Sequence, residues 1–138
     1  MNFLSVRLIT ADIQPLVQFY EQVMGVPAMQ YTPDFAELLT PTATLAIGST
    51  RTLQAFGGAH VASAAANRSA IIEFRVADVD AEYQRLADSL GDAVVQPPTT
   101  MPWGNRSLLF RDPDGNLVNF FTPVSSDALK KFANQPVA

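Results

Sequence analysis

Three oxygen-bearing side chains at alternate positions, Asp112, Asp114 and Asn116, have the spacing of ligands to a calcium ion. The remainder of such a loop is missing. An EF-hand needs glycine at its sixth position and glutamate at its twelfth, whereas here Gly115 is fourth and Pro123 twelfth. The run is better suited to a turn: Pro113 fits its first central position and Gly115 supplies the positive φ that follows. Ser107–Arg111 and Leu117–Phe121 then form a β-hairpin with a bulge at Gly115. Other reactive chemistry is sparse. With no cysteine there is no disulfide, thiolate metal site or thiol nucleophile, and the single histidine, His60, lies in a run of small residues remote from any motif. No nucleophile-elbow sequence occurs, and Gly57-Gly58 is a linker pair rather than a phosphate-cradling loop.

Composition narrows the class of partner. At 138 residues, 48% hydrophobic and 16% charged, the chain is expected to be a soluble globular protein. A net charge of −4 disfavours a nucleic-acid backbone and is compatible with a neutral or cationic small ligand. No apolar run approaches a membrane span and the first residues lack a leader pattern, so no membrane partner and a cytoplasmic location are expected.

The elements that must position these groups come in two similar sets. Residues 2–10 form a strand, and Asp12 caps a helix with apolar residues at Ile13, Leu16, Val17, Tyr20, Val23 and Met24, which Gly25 ends. Extended runs follow at 28–31, 35–39, 43–47 and 52–56. Residues 57–70 are a small-residue linker, partly helical through its alanines. The pattern then restarts: a strand at 71–76, a helix from the Asp78 cap to Gly91, a strand at 93–96, a proline-rich loop at 97–104, and the hairpin. The pairs Ala11/Ala77, Asp12/Asp78, Gln18/Gln84, Gly25/Gly91 and Gln30/Gln96 are each separated by 66 positions. This is an internal repeat, with module 1 at 1–56, module 2 at 71–124, the two together a single domain over 1–124, and a tail at 125–138 carrying a short helix capped by Ser126 or Asp127.

The segments Pro102–Phe121, Phe19–Pro27 and Glu73–Ala81 together resemble the vicinal oxygen chelate superfamily, which includes glyoxalase, bleomycin-resistance proteins and extradiol dioxygenases. The resemblance implies an α+β fold of two tandem βαβββ modules, forming a curved mixed sheet with a concave cleft. Metal-dependent members carry a His or Gln ligand seven residues before each capping aspartate and an acidic ligand on the last strand of each module. Those positions map to Ser5, Ile71, Gln54 and Asn119. Four neutral groups, one aliphatic, do not offset the dehydration of a divalent ion, so no metal cofactor is expected. The resemblance is then nearest to metal-free bleomycin-resistance-like members, and implies a homodimer that binds a small aromatic or cationic compound without catalysis. The alternative it implies is a divalent-metal-dependent lyase, isomerase or dioxygenase.

Strand parity directs Val6, Leu8, Thr10, Ile72, Phe74 and Val76 to the helices, and Ser5, Arg7, Ile9, Ile71, Glu73 and Arg75 to the cleft. Arg7 and Glu73 are equivalent in the two repeats and are expected to pair, either to orient a ligand or as a structural ion pair. Glu37, Gln54 and Asn119 are further expected lining residues. Tyr31, Phe35, Phe56, Trp103 and Phe121 are the expected aromatic walls, Trp103 because no strand or helix period requires an indole in that loop.

Overall fold

The computed structural model describes residues 1–137. Contacts divide it into two compact units, Met1–Asn67 with Pro113–Gly115, and Arg68–Asp112 with Asn116–Ala138. Both have the same α+β plan.

In the first unit, β1 (Ser5–Thr10) leads into α1 (Ile13–Met24), followed by β2 (Met29–Thr32), β3 (Phe35–Leu39) and β4 (Thr44–Ser49). The sheet order is β1-β4-β3-β2, with β1 parallel to β4 and the remaining pairs antiparallel. α1 begins where Asp12 accepts from the Gln14 amide at 3.1 Å, and ends at Gly25 in a left-handed conformation, φ 67°, that other residues adopt reluctantly. Its Ile13, Leu16, Val17, Tyr20 and Val23 are buried, as are Leu8, Ala36, Leu38, Leu45 and Ile47 on the strands. Burial of each large side chain is worth about 1.5–3 kcal/mol, against about 1 kcal/mol for a cap, so the amphipathic stripe decides the packing and the caps decide its limits.

The second unit repeats this with β5 (Ile71–Arg75), α2 (Val79–Leu90), β6 (Val94–Thr100), β7 (Asn105–Arg111) and β8 (Leu117–Pro123), in the sheet order β5-β8-β7-β6. Asp78 caps α2 by accepting from the Asp80 and Ala81 amides. Its core is a set of edge-on rings, Phe110–Phe120 at 5.1 Å and Phe74–Phe120 at 5.5 Å, together with Val79, Leu86, Leu90, Leu108 and Val118. The two helices span 13–24 and 79–90, so both ends differ by 66 residues (79 − 13 and 90 − 24). A final helix, α3 (Ser126–Lys131), is capped by Ser125, one residue earlier than the sequence suggests.

Three other local expectations are corrected. Residues 52–56 are not a strand but part of a 3-10 helix, Thr50–Phe56, nucleated where Ser49 accepts from the Arg51 amide at 3.1 Å. Residues 97–100 are not loop: β6 runs through Pro97 and Pro98. It is an edge strand with shifts of register between Val94 and Gln96 and between Gln96 and Thr99, where missing amides are tolerated. The β7–β8 pairing runs from Asn105↔Pro123 to Arg111↔Leu117 without a shift, and Gly115 in the connection has the positive φ that the sequence requires, 81°. Asp112 closes its loop by accepting from the backbone and side-chain amides of Asn116 at 2.9 and 2.7 Å. The linker at 57–70 contains turns and bends but no α-helix. Among the described residues, no helix is long and apolar enough to cross a membrane.

Candidate functional site

One face of the first sheet packs on α1; the other carries most of the module 1 residues that the sequence selects. Register places Arg7, Ala46, Glu37 and Met29 in one row across the strands, and Ile9, Gly48, Phe35 and Thr32 in the next. The guanidinium carbon of Arg7 lies 4.6 Å from the Phe35 ring centroid and 5.2 Å from that of Phe56. Tyr31 stacks on Phe35, with centroids 6.0 Å apart and planes inclined by 26°, and its hydroxyl donates to Glu37 Oε2 at 3.4 Å. Phe56 and Tyr31 remain 60% and 55% exposed, an unusual outlay of aromatic surface for one sheet face.

Local sequence explains how this cluster is held. A Cβ added at Gly48 would stand 3.1 Å from Thr52 Oγ1 and at ordinary contact distance, 3.5 and 3.6 Å, from Arg7 Cδ and Ile9 Cδ1, so the arginine stem runs directly over this glycine. Phe56 ends the 3-10 helix, which is anchored by buried Leu53. The start of that helix is tied to the β2–β3 turn, because Ser49 Oγ and Arg51 Nε both donate to Asp34 Oδ1, at 2.7 and 2.6 Å. The hydrogen bond from Ser49, and then that from Arg51, holds the Asp34 carboxyl below its ordinary pKa. Neither the Asp34–Ser49–Arg51 cluster nor Gly48 is marked by a sequence motif.

Two module 1 candidates lie apart from the cluster. Ser5 is exposed at the start of β1, opposite Thr44. Gln54 is exposed on the 3-10 helix and is not on the last strand at all. The pairing Arg7↔Ala46 matches Glu73↔Asn119, which makes Ala46 the module 1 counterpart of Asn119.

In the second sheet Asn119 is 8% exposed and donates through Nδ2 to Glu73 Oε2 at 2.7 Å, while its Oδ1 is buried without a partner. Glu73 thus has its partner within its own module, as Arg7 does in the other. The next row contains Arg75 and Phe121, and there the C-terminal segment covers the sheet. The ring of Phe132 lies 5.3 Å from that of Phe121, and Arg75 Nη1 donates to the carbonyls of Phe132 and Gln135 at 2.7 and 2.9 Å. Phe121 is consequently buried beneath the tail, and the wall expected from the sequence is occupied by the chain itself. Trp103, in the turn 101–104, is 67% exposed. Away from this face, Asp80 on α2 takes a two-pronged hydrogen bond from Arg106 on β7, at 2.7 and 2.9 Å, which lowers the aspartate pKa and raises that of the arginine.

The residues at the superfamily's metal positions do not fit a divalent ion. Ile71 carries no donor, Ala46 replaces the first acidic ligand, and Asn119 offers one neutral oxygen. Among the described residues no three His, Asp or Glu side chains converge as a ligand set. Without imidazole or several carboxylates, the dehydration of a dication is not offset.

Comparison with known proteins agrees with the architecture. Solved structures with the same fold include a glyoxalase/bleomycin resistance protein/dioxygenase from Nocardioides, 23% identical, with a TM-score of 0.75 over 91% of this chain and 85% of that one. Another, a family enzyme from Burkholderia phytofirmans PsJN, is 18% identical, with a TM-score of 0.78 over 90% of this chain and 100% of the other. TioX from Micromonospora sp. ML1 is 25% identical, with a TM-score of 0.67 over 90% of this chain and all of its own. In sequence, the uncharacterised YraH of Bacillus subtilis (strain 168) is 26% identical over 125 residues, covering 88% of this chain and 98% of its own. Residues 2–120 match the model of one family, and with the repeated sheet order and paired helices this places the chain in the Glyoxalase/Bleomycin resistance protein/Dioxygenase superfamily.

Proposed function

We propose that this superfamily member is a small-molecule binding protein, which sequesters or recognises an aromatic or cationic compound without a metal ion. The observation that carries the reading is the exposed cluster of Arg7, Tyr31, Phe35 and Phe56 on one sheet face. Rings held in place by a cation and by each other are preorganised, so stacking a flat guest on them costs little ordering entropy. The donor set at the metal positions supports a binding role over the metal-dependent chemistries of the superfamily. The reading extends to a cytoplasmic homodimer, and to drug sequestration as one biological use.

The test is a thermal-shift and fluorescence screen of aromatic compounds on chelator-treated protein, with Trp103, the sole tryptophan, as a second reporter. A ligand at about 100 times its Kd should add roughly 2.7 kcal/mol of stability, and the Phe35→Ala/Phe56→Ala variant should lose most of that gain. Binding or turnover that requires a stoichiometric divalent metal would overturn the proposal, as would a broad aromatic screen with no response. Light scattering reports the oligomeric state in the same preparations.

A further inference from the structure

We propose that the exposed face of the first module selects a planar aromatic that carries an anionic group, with Arg7 as the residue that reads the charge. This rests on the binding role above and narrows its ligand class. Arg7 is fixed at three places: its stem passes over Gly48, and its guanidinium lies against Phe35 and Phe56. Both ring contacts are made by the cation through its charge and its faces, and neither uses a hydrogen-bond donor. Among the described residues no carboxylate, carbonyl or hydroxyl accepts from this guanidinium. A natural acceptor stands two strands away in the same row, Glu37, and it takes the Tyr31 hydroxyl. The other arginines named above contrast with it: Arg51 and Arg106 donate to aspartates and Arg75 to main-chain carbonyls.

An arginine held by rings, with its planar donor edge left over, matches a carboxylate in two-pronged geometry. The same rings supply the surface for the rest of the guest. Phe35 and Phe56 flank the cation, and Tyr31 extends the aromatic surface by stacking on Phe35, with Phe56 and Tyr31 more than half exposed, so an aryl group attached to the anion meets aromatic surface beside Arg7. The chemistry fits an aryl carboxylate. It disfavours an aryl amine, which would bring a second cation against Arg7.

The probes are 2-naphthoate, its neutral isostere 2-naphthamide, and the amine 2-naphthylmethylamine, titrated calorimetrically into wild-type protein and Arg7→Met. The expected order is naphthoate about tenfold or more tighter than naphthamide, with the amine weakest. Arg7→Met should abolish the preference for naphthoate, leaving the naphthoate-to-naphthamide affinity ratio near one. The ¹⁵N-arginine side-chain spectrum should show the Arg7 Nε–H signal moving on naphthoate addition. Equal affinity for naphthoate and naphthamide in the wild type would overturn the charge selection and leave aromatic binding intact. A naphthoate preference that survives Arg7→Met, with no movement of the Arg7 signal, would also overturn it. Failure of all three probes to bind would remove the binding role on which it rests. If the variant fails to fold, the wild-type comparison of naphthoate with naphthamide still decides.

Discussion

Asn119 donates its carboxamide hydrogen to Glu73 at 2.7 Å and leaves its own oxygen buried without a partner. The amide therefore neutralises nothing; it satisfies one carboxylate lone pair through a single hydrogen bond. Asn119→Asp would set two carboxylates at hydrogen-bond distance, and one proton must then be shared between them. The upper apparent pKa of that pair is raised above its unfolded value. Stability is present at low pH and lost as pH rises through the raised pKa. We expect the variant to be about 1 kcal/mol or more less stable than wild type at neutral pH, with the gap closing near pH 4. Denaturant unfolding across that range is the measurement, and a gap independent of pH would contradict the shared-proton account.

Gly104 has φ 92°, and a Cβ there would lie 1.9 Å from Ser125 Oγ and 2.6 Å from Ser125 Cβ. Its carbonyl also accepts from the amides of Val124 and Ser125 at 2.9 and 3.1 Å. Gly104→Ala should therefore cost about 2–3 kcal/mol through backbone strain and overlap together. Adding Ser125→Gly should return part of that loss, less about 1 kcal/mol for the forfeited α3 cap. Calorimetric melts of the single and double variants separate the two contributions.

The tail over the second sheet is secured by Arg75, which donates to the Phe132 and Gln135 carbonyls. Arg75→Met removes both hydrogen bonds while keeping an apolar stem. Exposed Lys130 and Lys131 then report local opening, and trypsin cleavage after them should accelerate about tenfold. Cleavage at the wild-type rate would show that the Phe121–Phe132 contact alone holds the segment.

Asp34 and Asp80 both have carboxyl pKa values lowered by hydrogen bonds, from Ser49 and Arg51 in one case and Arg106 in the other. Their folded values lie below their unfolded ones. The stability they supply is complete above the unfolded value and is lost as pH falls through the folded value. Asp34→Asn and Asp80→Asn should each lower stability slightly at neutral pH and flatten the acid limb of the stability–pH profile, the gap to wild type closing as pH falls through the folded value. Both pairs are partly solvated, so added salt should shrink the difference.

Local signals are legible in the sequence because they act over a few residues. Asp12 and Gly25 bound α1, and Asp78 and Gly91 bound α2, at the positions their capping chemistry requires. The duplicated plan followed from those same residues. Segments whose shape depends on distant partners were not legible. Residues 52–56 have the look of a strand, yet Ser49, Asp34 and buried Leu53 wind them into a 3-10 helix. A strand at 52–56 would put the metal position at Gln54, whereas pairing with β1 assigns it to Ala46. Arg7, Phe35, Phe56 and Tyr31 are each legible as candidates by residue type, but their grouping depends on strand register and on the 3-10 helix that carries Phe56. Arg75 finds its acceptors 57 and 60 residues away, a separation at which no sequence period helps.

Phe132, resting on Phe121 under the Arg75 clamp, also settles a matter of counting. The polypeptide contains its module twice, and a symmetrical receptor would saturate with two equivalents of guest. Here the tail is already the tenant of one sheet, so titration should end at a single equivalent per chain.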